Sequence, residues 1–267
     1  MTIEEVLSRP TPDIPTAENL VENARIEIIQ FFGREFPISQ PPQLLIDTLM
    51  LMQNQDIRHF EPLYLPSATL GEKDEYPGWK IKMGQVKAGD QICPVSRELP
   101  GIWVVFDTTP RQPYSEIKSL AWNNDPLSDI LSNARNSGKI YIESLIDPPL
   151  PPTSRFGLST AEQDEIIFPE LAKQLNLGEQ LASKTVTIRR PTLAEFNYMG
   201  NLRHPELGGV NTLEFMQDTF GIDGFTFAVT GGSSRSGGLA HAQYIVNRYQ
   251  TDARGDALGF RAVIAFQ

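Results

Sequence analysis

Pro191-Thr192-Leu193-Ala194-Glu195-Phe196-Asn197-Tyr198 is the stretch on which the fold turns. Thr192 followed three residues later by Glu195 is a capping box. The hydroxyl takes the amide of Glu195, and the Glu195 carboxylate reaches back to the amide of Thr192. With Pro191 just ahead, the pattern predicts a helix to about Met199, stopped by Gly200, with Phe196 packing it onto the core.

Three further segments follow: Asn211-Thr212-Leu213-Glu214-Phe215-Met216-Gln217-Asp218, then Gly231-Gly232-Ser233, then Gly259-Phe260-Arg261-Ala262-Val263. In this order the four resemble the P-T-x-A-E-W-E-Y, N-x-W-E-W-x-x-D, G-G-S and G-F-R-x-V motifs of the formylglycine-generating-enzyme/sulfatase-modifying family. Leu213 and Phe215 replace two tryptophans. Each motif alone is common, and the order makes the signal specific. The match is best over 190–267.

The resemblance implies an α+β protein. Its C-type-lectin-like fold, of the formylglycine-generating-enzyme type, is expected over 99–267, with a small twisted antiparallel sheet, two main helices and long loops. A helix-rich N-terminal accessory region is expected over 1–98. Thr192, Glu195, Glu214, Gly231, Gly232, Gly259, Phe260 and Arg261 become scaffold positions, with the Arg261 guanidinium holding backbone carbonyls or a carboxylate.

The departures from that family bear on chemistry. Its copper enzymes carry two cysteines after G-G-S, where this chain has Ser233-Ser234-Arg235-Ser236-Gly237-Gly238-Leu239. Cys93 is the only cysteine and lies far upstream. Relatives that use iron need a histidine cluster, whereas His59, His204 and His241 have no ligand-like spacing. The expectation is a protein that is not an enzyme and has no cofactor or metal.

In this fold the region between G-G-S and G-F-R is an exposed ligand face, and in variable proteins of diversity-generating retroelements it is the mutable binding surface. Here it is rich in Ser, Asn, His and Tyr, the adaptable and amphipathic side chains of paratope loops. Ser234, Arg235, Ser236, His241, Gln243, Tyr244, Asn247, Arg248 and Tyr249 are the expected ligand-binding residues for a protein or other macromolecular partner. The same residues also read as an ordinary solvated loop. Two alternatives stand beside this reading: a diverged oxidoreductase of the family, and a structural part of a phage particle or larger assembly.

Upstream, Leu20, Ala24, Ile28 and Phe31 give Thr16–Phe32 a helical stripe capped by Thr16, and Gln43–Gln53 is a second apolar helix. These helices are candidates for oligomer contacts. Pro62, Pro66 and Pro77 predict a loop region. Trp79–Met83, Ile102–Phe106 and Lys139–Ile142 are predicted strands, with a loop and short helix between Gln112 and Asn136. The run Asp147–Pro152 is a stiff connector. Ser159 and Glu162 form another capping box, opening a helix that Pro169 splits before Leu177-Gly178. Strands are expected at Phe225–Val229, Gln243–Tyr249 and Gly259–Phe266.

A net charge of −10 with no basic stripe argues against nucleic acid. No apolar run approaches the length of a membrane span. The acidic start Met1-Thr2-Ile3-Glu4-Glu5 lacks an apolar stretch, so the expected location is the cytoplasm, or a virion or cell surface reached without a cleaved signal. Trp122-Asn123-Asn124-Asp125 resembles a lectin calcium motif but sits too early and lacks its partner segment, so it reads as coincidence. Gly231–Gly238 fits neither phosphate-loop pattern nor a nucleophile elbow. His204 with Glu206 is a weak acid/base candidate. Glu195, Glu214 and Asp218 read as scaffold.

Overall fold

A computed structural model describes residues 15–71, 75–80, 83, 86–88, 91–93, 95–110, 125–140, 149–208, 212–222, 225–232, 249–250, 252–255 and 257–267. Two helices open the described chain. In α1 (Ala17–Phe32) the Thr16 hydroxyl accepts from Asn19 N–H, and Gly33 closes the end at φ 71° with its N–H on Ile29 O. Its stripe Leu20, Ala24, Ile28, Phe31 and Phe32 is buried, the face predicted by the 3.6-residue period. Helix α2 spans Gln43–Asn54.

The main sheet is antiparallel, in the order β1 (Phe60–Thr69), β4 (Glu98–Asp107), β10 (Val263–Phe266), β5 (Val186–Arg189). A short hairpin pairs β2 (Val86–Ala88) with β3 (Gln91–Cys93). The second sheet runs β8 (Tyr249–Gln250), β7 (Phe225–Gly232), β6 (Leu213–Ile222), β9 (Leu258–Gly259), with β9 parallel to β6. Between strands lie α3 (Ser128–Asn136), α4 (Thr160–Glu162), a π-helical turn (Gln163–Ile167), α5 (Phe168–Gln174), α6 (Gly178–Ala182) and α7 (Leu193–Leu202). The protein is therefore α+β. Among the described residues the larger hydrophobic cluster runs from Leu20 through Trp103 and Phe196 to Phe266, with members on both sides of residue 98, and Leu213, Phe215 and Leu258 form a second, smaller one. Among the described residues no helix is long and apolar enough to cross a membrane.

Several expectations are corrected. The proline-marked stretch around Pro62 and Pro66 is the ten-residue strand β1. It is tolerated because β1 is an edge strand: the Pro62 carbonyl points away from β4 and accepts from Arg203 Nη1 at 2.8 Å, so the absent N–H breaks no ladder. Trp79, Lys80 and Met83 are not in a strand, and the Trp79 indole donates to Asn197 Oδ1 at 2.9 Å. Lys139 and Ile140 are likewise outside any strand, and 141–142 lie outside the described residues.

Pro169 does not split its helix. The preceding turn widens to π geometry, with Phe168 N–H on Gln163 O, and this absorbs the imide. Gly200 does not stop α7 but is buried within it. The expected strand Gly259–Phe266 is two strands in different sheets, joined by the buried Phe260-Arg261-Ala262. Strands β5 and β6 had no predicted counterpart. Of the expected strand Gln243–Tyr249, only Tyr249 is described, at the start of β8.

Candidate functional site

The four motif segments converge. Strand β6 lies between β7 and β9, so Glu214 pairs with Gly231 on one side and Gly259 on the other, and Leu213 pairs with Gly232 and Leu258. Gly259 is needed by close approach: a Cβ there would stand 3.1 Å from Phe156 Cε1. Two residues on, Arg261 turns its buried guanidinium onto the Glu214 carboxylate, with Nε–Oε2 and Nη2–Oε1 both at 2.7 Å. Its Nη1 also donates to the carbonyl of Asp107, so it holds a carboxylate and a carbonyl together.

The first motif joins the same assembly. Thr192 and Glu195 form the reciprocal capping box, at 3.2 Å and 2.8 Å. Arg189 adds a bidentate pair to Glu195 at 2.7 and 2.6 Å. From β6, Asp218 accepts the N–H of Leu193 at 2.7 Å and that of Ser96 at 2.6 Å, so it sits at the start of α7. Burial raises the Asp218 pKa against these hydrogen bonds. Gln217 N–H reaches Pro191 O at 2.8 Å. Phe260 is fully buried and edge-on to Phe168 at 5.8 Å.

Beneath this assembly lies a charged centre that the sequence reading missed. Arg155 donates to Asp107, to both oxygens of Asp125 (2.5 and 2.7 Å) and to Thr109 Oγ1 (3.0 Å). Burial alone would raise the Asp107 pKa, but Arg155 and Arg261 outweigh it and hold the carboxyl below its ordinary range. Asp125 is the one described residue of the calcium-like motif. Its oxygens are taken by Arg155 and the Leu127 N–H, so it acts as an internal counter-ion. Arg155 stands in an irregular proline-rich stretch with no periodicity to mark it.

The structure brings the scaffold residues together. Of the predicted ligand-binding residues, Ser234, Arg235, Ser236, His241, Gln243, Tyr244, Asn247 and Arg248 lie outside the described residues. Tyr249 pairs with Ala228, so the stretch 233–248 leaves β7 at Gly232 and returns beside that strand. His204 is not an available base: Nδ1 lies 2.8 Å from Glu206 and Nε2 3.1 Å from Glu61. Hydrogen bonding to Glu61 is the main reason its pKa is raised. Among the described residues no three His, Cys, Asp or Glu side chains are grouped as metal ligands would be. Compared with protein-family models, curated proteins and solved structures, the chain matches none.

Proposed function

We propose that the chain is a non-catalytic ligand-binding protein. It presents the stretch between Gly232 and Leu258 on a C-type-lectin-like scaffold, in the manner of the variable proteins of diversity-generating retroelements. One observation carries this reading: the stretch 233–248 lies between the end of β7 at Gly232 and β8, which pairs with β7, while the motif residues around it bond to one another and to the frame. Glu214, Arg261, Glu195 and Asp218 are engaged in internal hydrogen bonds and ion pairs. Loops anchored on such a frame can change sequence without changing the fold. Antiparallel pairing of β4 with the last strand β10 accords with the small antiparallel sheet expected of the scaffold.

Two measurements test the reading. Alanine at Ser234, Arg235, Ser236, His241, Gln243, Tyr244, Asn247 or Arg248, one at a time, changes stability by less than about 0.5 kcal/mol, the range of ordinary surface sites. Losses of several kcal/mol at these positions would place the segment in the core and end the proposal. The diversified form makes a further demand on the gene. A near-copy of its 3′ coding end, differing mainly at template adenines, lies beside a reverse transcriptase gene. Its absence reduces the reading to an undiversified binder.

A further inference from the structure

A groove of about 510 Å³ runs between α1 and the main sheet. Pro15, Leu20, Ala24 and Ile26 line it on the α1 side, Tyr64 and Trp103 on the sheet side. Leu20, Ala24, Tyr64 and Trp103 are buried, but Ile26 is 54% exposed, and among the described residues no large apolar side chain is more so. The charged groups along the groove are already committed to one another. Arg203 pairs with Glu27 at 2.6 Å and with Glu61 at 3.4 Å, and Glu61 also meets His204 at 3.1 Å. What the groove offers a cover is therefore its apolar surface.

The chain itself supplies a fitting cover. Pro15 is part of the lining, so residues 1–14, which lie outside the described residues, join the groove wall directly. Their sequence predicts a short amphipathic helix on a stiff tether. Thr2 and Glu5 have capping-box spacing, Ile3, Val6 and Leu7 fall on one helical face, and Pro10 ends the pattern. The tether, with prolines at 10, 12 and 15, reaches about 15–19 Å at about 3.1 Å per residue. Leu20 to Gln30 of α1, the helical side of the groove, covers about 15 Å at the helical rise. The tether is thus long enough to bring the apolar face over Ile26. A tethered segment also meets its site at an effective concentration on the order of millimolar, an advantage that no separate partner of the same composition has. We infer that residues 1–14 fold back along α1 and cover this groove with Ile3, Val6 and Leu7, as an intramolecular strap.

Methyl nuclear Overhauser contacts and hydrogen exchange in the full chain test this. The Leu7 methyls show contacts with the methyls of Ile26 and Ala24. The Leu7 amide exchanges at least about tenfold more slowly than in a free peptide of residues 1–15. Leu7→Asp abolishes the contacts and lowers the melting temperature by at least about 2 °C, the shift that a modest apolar contact gives in a chain of this size. Ser8→Asp, which adds the same charge off that helical face, leaves both unchanged. Three results would overturn the inference. The first is the absence of any contact between residues 1–14 and the groove. The second is contacts that arise only between differently labelled chains in a mixed sample, which means that a second copy fills the groove. The third is equal effects of Leu7→Asp and Ser8→Asp, which means that the added charge is felt and the apolar face is not.

Discussion

Arg261 and Glu214, 47 residues apart, meet as a buried bidentate ion pair at the point where the chain passes from the second sheet into the main one. Arg261 lies between β9 and β10, and Glu214 is on the central strand of the motif assembly.

Breaking that pair leaves one buried charge uncompensated. Glu214→Gln should cost about 3–5 kcal/mol in urea unfolding. The double substitution Glu214→Leu, Arg261→Met should cost clearly less than the sum of its singles, because it leaves no orphan ion. Additive losses would show that the two side chains are not coupled in solution.

The cap of α7 divides into a neutral and a charged part. Thr192→Ala should cost about 1 kcal/mol, the usual worth of an N-cap side chain. Glu195→Gln should cost more, since it strips a carboxylate from the Arg189 guanidinium as well as from the Thr192 amide. Equal losses in denaturant titrations would mean that the Arg189 contact contributes nothing.

Stability should depend on pH through Glu61 and His204. Burial would raise the Glu61 pKa, but the hydrogen bond and charge of His204, with Arg203, bring it down to about 2. That contribution is present above the ordinary value of 4.5 and fades as pH falls toward 2. His204 is raised above its ordinary 6.5, so its contribution is full below that value and is lost as pH climbs through the folded pKa. The pair therefore stabilises most between 4.5 and 6.5. Glu61→Gln should flatten the acid side and shrink the alkaline loss to the share due to Glu206. Superimposable pH–stability curves for the two proteins would refute this.

Tyr198 is buried among Phe31 and Phe32, with ring centroids at 4.8 and 5.8 Å, and among the described residues its hydroxyl has no hydrogen-bond partner. Tyr198→Phe keeps the ring and removes an unsatisfied group. It should leave stability unchanged or raise it by up to about 1 kcal/mol. A loss beyond about 1 kcal/mol would mean that the hydroxyl has found a partner in solution.

The caps at Thr16, Ser159 and Thr192 were legible in the sequence because each is closed by groups three residues apart. The buried stripe of α1 was legible for the same reason, since helical geometry alone sets which side chains share a face. The acidic balance and the single cysteine needed no structure either. What only the tertiary structure decided are relations between distant segments. Pro62 and Pro66 read as loop until β1 was seen to lie at an edge, and an edge is a property of the sheet rather than of the strand. Gly259 and Val263 read as one strand until the chain was seen to pass from one sheet to the other through Arg261. Arg155, between Asp107 and Asp125, left no local trace because its partners lie 48 and 30 residues away. Which carboxylate a buried guanidinium meets depends on how the loops close, and that follows from packing the whole core.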